Sequence, residues 1–583
     1  MRKVSILLLV FFVFLGFFAC NEKNKVKNED NQGVVENVTA ELKGIDAILP
    51  ASSIAVMKVK DLEPFYKEII PALGLDKKDM AEAIEKIGFN PMKFDELNEF
   101  GIDHSREFGL VLNSFDLVDL TLKAPPVFDM SIFIPIIEGK GIISKIEALM
   151  QKKKKELKLI EKDGYFMVPN EKKQPNVAFK IFKDYLFVSI YMDTDPKKTY
   201  DLLGKEPIAK SPLYKKLLAK TNNNSCFTLF ANFENTDVID KFIKAFKNRA
   251  EKRGIVQGTF GLDFYQGYKG FIMTADTQQS DFTIDAYGLL SEDAPVLSLY
   301  KDVKYCKNSV LGIKENPLLY VSFGVNPGNY YNLIKKSFTQ KQIDKFNKGV
   351  DEFKTKSGID LHELINNLGG NLNYAMYDGK GINIASYNTV FSLSLNDEVK
   401  GKVLINKMIE MIKAKAEGKM TLSKETILNV DTTIISVPPA QFYLGVKNGA
   451  LILSTNKSYY EQALTGKTES GFTANMDKAL AEKFVNSDVF YLSLDEGLKV
   501  FENFKPFVMM GLGKKAQKDK NGKTIIDRIT KITNKFQYLM SSSVWGKDGI
   551  FKMNFIIKTR FEKSFTSGII DIVKSFQKEE VLQ

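Results

Sequence analysis

Apolar and polar residues alternate in short runs along most of the chain, and this period of two predicts β-strands. Between these runs lie stretches in which apolar residues recur three or four positions apart, a spacing that predicts amphipathic helices. The clearest helical stripe consists of Leu404, Ile405, Met408, Ile409 and Ile412. This mixture predicts an α+β fold with mainly antiparallel sheets and with helices packed on one face.

Two landmarks recur in the same order in the two halves of the chain. Pro50 and Pro317 each precede a strand-like run and a helical stretch, the second of which enters its helix through a Pro327-Gly328 turn. Gly-Ile-Asp follows at 101–103 in the first half and at 358–360 in the second. Such a recurring order is the expected result of duplicating one structural unit.

The elements after Gly-Ile-Asp recur as well. The alternating run 130–134 matches the run 391–395, and each leads into an amphipathic helix. A hairpin follows in each half, with turns at Lys183-Asp184 and at Asn448-Gly449, and the Asn-Gly pair is a strong type I′ signal. We therefore predict a tandem duplication of one α+β unit, with Met130 over Phe391 after superposition. The predicted divisions are a first repeat over 44–295, a second repeat over 296–562 and a C-terminal helix or tail over 563–583.

The N-terminus has the pattern of an export signal. Two basic residues, Arg2 and Lys3, precede an apolar run that begins at Val4 and ends at Ala19-Cys20. This arrangement resembles a bacterial lipoprotein signal, in which a small residue precedes a lipid-acceptor cysteine. The resemblance implies a signal peptide over 1–19, a mature chain that begins with a lipidated Cys20, and anchorage to a membrane of the cell envelope. An uncleaved anchor and ordinary secretion are the alternatives.

Residues 20–43 are rich in Asn, Lys, Glu and Asp, a composition that predicts a disordered tether between the lipid and the folded part. The whole chain has a net charge of +11, with lysines clustered at 152–155 and again between 514 and 523. A positive surface favours anionic membranes or cell-wall polymers as partners, although solvated surface is the simpler explanation of the lysines. No nucleic-acid partner is expected, because the lysines lack an accompanying aromatic stacking motif.

Several stretches together resemble a known class of proteins. They are the proline, strand and helix opening, the export signal, Leu368-Gly369-Gly370, and the hairpin over 442–454 with Asn-Gly at its turn. The chain is similar to uncharacterised bacterial envelope lipoproteins that are grouped as domains of unknown function. The resemblance implies an envelope location and implies no reaction.

Candidate catalytic chemistry is scarce. The chain has two histidines, His104 and His362, and each follows a Gly-Ile-Asp segment. A Ser-His-Asp or Cys-His mechanism needs a histidine near a nucleophile, and a zinc site typically needs more than one. We expect Asp103 and Asp360 to cap a short helix whose first turn carries the histidine, which is a structural role.

Other motifs also fall short of a catalytic pattern. Gly511-Leu512-Gly513-Lys514 hints at a phosphate loop, but Lys515 stands where the Ser or Thr hydroxyl is required. Asp95 and Glu99 would share one helix face and could form a glycosidase pair, although solvated surface is the simpler interpretation.

Cysteines add one open question. Cys226 and Cys306 could form a bridge or remain two buried thiols. We therefore predict no catalytic residue, no cofactor and no metal ligand, and only Cys20 as a modified residue.

These observations predict a lipid-anchored envelope protein with a non-enzymatic binding or scaffolding role. Its expected partners are the membrane, through the lipid on Cys20, and another envelope protein. The alternatives are a hydrolase of envelope polymers that uses unidentified carboxylates, and a carrier of an apolar ligand. Aromatic residues in the alternating runs are expected in the core; they include Phe133, Phe187, Phe230, Phe490 and Phe555.

Overall fold

The computed structural model describes most of the chain after residue 43. The described ranges are 44–60, 94–116, 127–138, 141–153, 158–168, 176–221, 225–234, 240–241, 244, 267–277, 279–336, 338, 340–379, 387–415, 420–511, 530–546 and 548–581. The predicted signal with Cys20, the tether, the helix expected after Asp61 and the lysine cluster between 514 and 523 lie outside the described residues.

The chain divides into two compact units. The first runs to Ser291 and includes the residues from Phe561 onward, and the second runs from Glu292 to Arg560. Each unit is α+β, and the named strands within each unit pair antiparallel.

The first unit contains strands β1 to β10 and helices α1 to α4. The strands are β1 Ala55–Val59, β2 Phe108–Asp116, β3 Val127–Pro135, β4 Ile160–Lys162, β5 Tyr165–Met167, β6 Asn176–Phe182, β7 Tyr185–Met192, β8 Phe227–Asn232, β9 Tyr268–Asp276 and β10 Phe282–Leu290. They pair in the order β10-β9-β8-β1-β2-β3-β7-β6-β5-β4. The helices are α1 Phe94–Phe100, α2 Ile142–Lys153, α3 Pro196–Tyr200 and α4 Pro212–Leu218.

The second unit contains strands β11 to β20. They are β11 Leu319–Gly324, β12 Leu368–Gly379, β13 Tyr387–Leu395, β14 Thr421–Ile427, β15 Val430–Val437, β16 Ala440–Lys447, β17 Ala450–Ser454, β18 Asp488–Ser493, β19 Phe536–Trp545 and β20 Ile550–Thr559. They pair in the order β20-β19-β18-β11-β12-β13-β17-β16-β15-β14. This order is that of the first unit with every strand number raised by ten.

The remaining helices follow in chain order. Those of the second unit are α5 Pro295–Leu299, α6 Asn308–Leu311, α7 Pro327–Lys336, α8 Gln340–Ser357, α9 Leu361–Asn367, α10 Glu398–Lys415, α11 Lys457–Thr465, α12 Lys478–Asn486 and α13 Leu494–Gly511. The last helix, α14 Phe565–Val581, belongs to the first unit.

The two Gly-Ile-Asp segments have different local structures. The Asp360 side chain accepts hydrogen bonds from the backbone N–H groups of His362 and Glu363 at 2.9 and 3.3 Å, so it caps α9 as expected. Asp103 instead accepts from the backbone and hydroxyl of Ser105, at 3.2 and 2.7 Å. The expected helix after Asp103 is wrong, because the chain makes a turn there and enters β2 at Phe108.

Pro327 and Gly328 do not form the expected turn, because they are the first residues of α7. The side-chain oxygen of Asn326 accepts from the backbone N–H of Asn329 at 3.0 Å. A proline in the first turn of a helix loses no hydrogen bond, since that N–H has no partner within the helix. The Pro-Gly pair, which is typical of a turn, therefore marks the start of a helix at this position.

Helices of the second unit pack on both faces of its sheet, which corrects the expectation of one covered face. Tyr460 and Leu464 of α11 and Phe484 of α12 join the core cluster on one face. Helix α10 lies over β16 on the other face, where Ile405 and Leu444 line the same cavity. Successive side chains of a strand point to opposite faces, so two apolar faces need two layers of helices.

Candidate binding site on a half-buried sheet face

The central strands of the second unit bury one of their two faces. Along this core face the exposed fraction is between 0% and 3% for Tyr320, Ala375, Val390, Ile452 and Tyr491. Rings from the covering helices pack on it, with Phe484 at 5.5 Å from Tyr320 and 5.4 Å from Tyr491, centroid to centroid. This face is an ordinary close-packed core.

The opposite face of the same strands is also apolar, but it is only partly covered. One row of register partners crosses six strands, namely Phe490, Val321, Tyr374, Phe391, Leu453 and Leu444. A second row crosses four strands, namely Phe323, Leu372, Leu393 and Leu451. We call these two rows the open face. Most of its members are half-buried, Leu444 is buried, and Phe323 and Phe490 keep 44% and 46% of their surface exposed. The expectation that Phe490 is a core residue is therefore wrong, whereas Phe133, Phe187 and Phe230 of the first unit are buried as expected.

Helix α10 lies at one end of the open face. Helix α13 contacts β12 and β19, and α10 contacts β16. Leu404 and Ile409 of α10 are buried as their spacing predicts, while Ile412 is exposed. The end of the open face at Phe490 remains exposed.

A cavity of about 400 Å³ lies between α10 and strands β14 to β16. Its apolar lining comes from Ile405 of α10 and from Leu444 and Val446 of β16. Charged and polar residues line the rest, among them Lys402, Lys424, Asp431 and Thr433. Because Leu444 also ends the six-strand row, the cavity continues the open face with a polar end.

The first unit has a comparable row of apolar partners. It crosses seven strands through Ala286, Met273, Leu229, Met57, Leu110, Ile132 and Val188, all of them half-buried. On the other face of the same strands, Val56 and Val111 are fully buried. Each unit thus has one closed and one partly covered apolar face.

The core face of the second unit contains a closed polar network around two buried asparagines. The Asn373 amide donates to Asn371 Oδ1 at 2.9 Å and to Ser392 Oγ at 3.1 Å. Asn371 in turn donates to the carbonyl of Phe323 at 3.1 Å and accepts from the backbone N–H of Cys306 at 3.0 Å. Buried amides that are satisfied in this way fix strand register, so we assign the network a structural role.

Cys306 belongs to this network and is a free thiol. Within the part of the chain that the structure describes, the Cys226–Cys306 bridge that the sequence left open is therefore not formed. Burial raises the pKa of the Cys306 thiol, and hydrogen bonds from Ser392 and Asn373 oppose that effect only in part. A raised pKa makes the thiol a poor nucleophile.

Two ionisable groups with opposite shifts lie beside one edge of this network. Burial lowers the pKa of Lys307 to about 8, and the ammonium group donates to the carbonyl of Ser487. Burial raises the pKa of the neighbouring Asp488 carboxyl to about 6, and the charge of Lys307 opposes this shift. Perturbed groups of this kind occur at functional sites and in structural pairs alike.

The first unit has a buried ion pair that sequence reasoning missed. Lys58 Nζ lies 2.7 Å from Asp46 Oδ2, and the Tyr214 hydroxyl donates to the same oxygen at 2.8 Å. Burial alone would lower the pKa of Lys58, but the carboxylate of Asp46 more than offsets this, and the net direction is upward. No local signal could have revealed this cluster, because 168 residues separate Asp46 from Tyr214.

The residues predicted from sequence do not converge on one site. Cys20 lies outside the described residues. His104 is buried in the turn before β2, whereas His362 is exposed in α9 with its ring 5.3 Å from that of Tyr331. Asp95 and Glu99 are both exposed on α1.

The described residues show neither a metal-binding cluster nor a membrane-spanning helix. They contain no cluster of three or more His, Cys, Asp or Glu side chains that could hold a metal ion. None of their helices combines the length and apolar character that a membrane span requires.

Comparison with known proteins adds little. No family model matches the chain, and no curated protein matches it. One solved structure, described as "Structure of crystal form I of TP0453", shares 8% identity and covers 43% of this chain and 80% of its own. Its TM-score is 0.21, a likeness too weak to support any statement about fold or function.

Proposed function

We propose that the chain is a lipid-anchored envelope protein whose second unit binds an apolar ligand on its open face without catalysing a reaction. The observation that carries this proposal is the difference between the two faces of one set of strands. Tyr491 is 3% exposed on the core face, whereas the adjacent Phe490 is 46% exposed on the open face. Contiguous apolar surface of this kind on a folded protein commonly marks an interaction site.

The shape of the open face favours a narrow ligand. Most of its members are already half-buried, and α10 covers one end of it. A stable protein partner typically buries about 800 Å² on each side, which requires a broad accessible surface. Removing the remaining apolar area from water would contribute roughly 25 cal/mol per Å², which suits a slender apolar molecule.

A scaffolding role is the second candidate. Phe323 and Phe490 are register neighbours of Leu372 and Val321, and they are the most exposed members of the open face. Large aromatic residues of this kind anchor protein partners at interfaces. A partner that inserts a side chain between these two rings would use the same surface.

The proposed location rests on the sequence alone. Residues 1–19 match a lipoprotein signal, and Cys20 would carry the lipid. A flexible tether of about 24 residues has a root-mean-square reach of about 27 Å, enough to separate the first unit from the membrane surface. Anchoring would hold the open face near a source of apolar molecules.

We also propose that the two units arose by tandem duplication. The identical strand order supports this, as does the placement of both hairpins, β6-β7 and β16-β17, at the same position in that order. Alignment on the hairpin turns pairs Val188 with Leu453, and the strand registers then pair Ile132, two residues beyond Met130, with Phe391. Superposition of the two units in an experimental structure tests the proposal. If Ile132 and Val188 fell on the opposite face of the sheet from Phe391 and Leu453, the proposal would be refuted.

A binding titration with a fluorescent polyene fatty acid tests the proposed function. Phe490→Ser should weaken binding several-fold, because it removes an exposed ring from one end of the row. Val485→Ser is the matched control, since Val485 is 49% exposed but lies on α12 over the core face. Equal affinity of both variants and the wild type, or no binding by any of them, would contradict the proposal.

A further inference from the structure

The cavity under α10 differs from the rest of the open face in its charges. Four charged residues line it, namely Lys402, Lys424, Glu425 and Asp431, but the Glu425 side chain points to the core face of β14, as that of its register partner Thr432 does. Lys402 lies 3.1 Å from Glu398, and Glu425 lies 2.7 Å from Lys457, so each of these two already has a partner. Lys424 and Asp431 are the two charged residues of the lining for which no such partner is seen in the described part of the chain.

Lys424 and Asp431 lie on neighbouring strands but do not neutralise each other. Lys424 is the register partner of Thr433, and Asp431 is the partner of Thr426, so the two charges are one diagonal step apart on one face. Diagonal neighbours in a sheet are about 7 to 8 Å apart, so both side chains can reach one group that lies over the strands between them. Neither side chain forms an ion pair within the ranges that the structure describes.

We propose that this cavity binds the headgroup of a zwitterionic phospholipid, with one acyl chain along the six-strand row of the open face. This inference rests on the proposed function and names its ligand class. The phosphate would lie toward Lys424 and the ammonium group toward Asp431. A fatty acid or an anionic phospholipid has no cation for Asp431, so the pair of charges favours a ligand that carries both signs.

The row has the length that one acyl chain needs. From Leu444 to Phe490 it makes five steps between adjacent strands. At about 4.8 Å per step this is about 24 Å. One acyl chain spans about half of the ~30 Å hydrocarbon core of a bilayer, or about 15 Å, so the row can hold a whole chain.

Competition titrations with the purified full-length protein test the inference. The competitors are lysophosphatidylethanolamine, lysophosphatidylglycerol and a long-chain alcohol of equal chain length, each below its micellar concentration. The wild type should bind the ethanolamine lipid about tenfold more tightly than the glycerol lipid, the size of one charge-assisted hydrogen bond, and it should bind the alcohol most weakly because the alcohol has no phosphate for Lys424. Lys424→Ala should lower the affinity for both phospholipids about tenfold, to or near that of the alcohol, and Asp431→Asn should abolish the preference between the two phospholipids. Neither change should alter affinity for the alcohol.

Controls separate a headgroup site from general damage. Lys478→Ala changes an exposed lysine on α12, away from the cavity, and should behave as the wild type. The double variant Lys424→Asp with Asp431→Lys keeps both charges in the cavity and should recover a preference that Lys424→Asp alone has lost. If all three competitors bind equally to every variant, the headgroup site is refuted while the proposed function stands. If the alcohol also fails to bind, both are refuted.

Discussion

Phe490 and Tyr491 are consecutive residues of one strand, yet Phe490 is 46% exposed and Tyr491 is 3% exposed. Their side chains point to opposite faces, and only the face of Tyr491 is closed by the aromatic side chains of α12. A strand that is apolar on both faces requires a partner for each. In the second unit one partner is the protein's own core, and we propose that the other is an apolar ligand.

Gly445 of β16 lies beside the cavity, where the core leaves no room for a side chain. A Cβ at this position would overlap with the hydroxyl of Tyr460, which is fully buried and lies 3.0 Å from Thr432 Oγ1. Gly445→Ala should therefore destabilise the protein by about 2 kcal/mol through overpacking. Gly497→Ala is the control, because its nearest neighbour would be at 3.5 Å and alanine favours helix α13. Denaturant midpoints measure both, and a neutral Gly445→Ala would disprove the packing argument.

Lys58 and Asp46 form an ion pair in which each charge stabilises the other. Asp46→Ala should destabilise the first unit by about 3 kcal/mol, because it leaves a buried ammonium group without its carboxylate. Adding Lys58→Met removes the stranded charge and should restore much of the loss. Chemical denaturation of the single and double variants tests this coupling, and additive losses would contradict it.

Asp488 should make stability depend on pH. Its folded pKa is raised to about 6 by burial, so between about pH 4 and pH 6 the folded state binds more protons than the unfolded state. Stability should then fall as pH rises through this range, by about 3 kcal/mol, since each pKa unit is worth about 1.4 kcal/mol. Asp488→Asn should remove this fall. Melting temperatures recorded from pH 4 to pH 7 decide the matter, and parallel curves for the two proteins would contradict the assignment.

Cys20 is the predicted lipid acceptor. Labelled palmitate should enter the wild-type protein but not Cys20→Ser, and the variant should leave the membrane fraction. Cys306→Ser keeps Cys20 and should label like the wild type. Equal labelling of Cys20→Ser and wild type would end the lipoprotein proposal.

Sequence patterns predicted most strands, because alternation and turn chemistry are local. Asn448 and Gly449 both have positive φ, 54° and 68°, as the Asn-Gly signal requires. The cap at Asp360 was equally local and is confirmed. Asp103 shows the limit of such local prediction. Gly-Ile-Asp at 101–103 leads into a turn and not into a helix, because the chain that follows enters strand β2.

The candidate site could not be predicted, because alternation does not say which face becomes the core. In β12 the apolar Leu372, Tyr374 and Met376 alternate with Asn371 and Asn373. The usual reading places the asparagines in solvent, yet both are fully buried and hydrogen-bonded, while the apolar set lies on the less covered face. The alternation in β12 shows that one face is apolar and the other polar. Which of the two faces is buried depends on helices α11 and α12, which lie far away in the chain.

Photo-crosslinking tests the central claim most directly. The full-length protein would be incubated with a fatty acid that carries a diazirine near the end of its chain, irradiated, digested and mapped by mass spectrometry. The account predicts labels on open-face residues such as Phe490, Val321, Tyr374 and Phe391, and their loss when an excess of unlabelled lipid is present. Labels spread over the surface, or unaffected by competitor, would contradict binding at the open face.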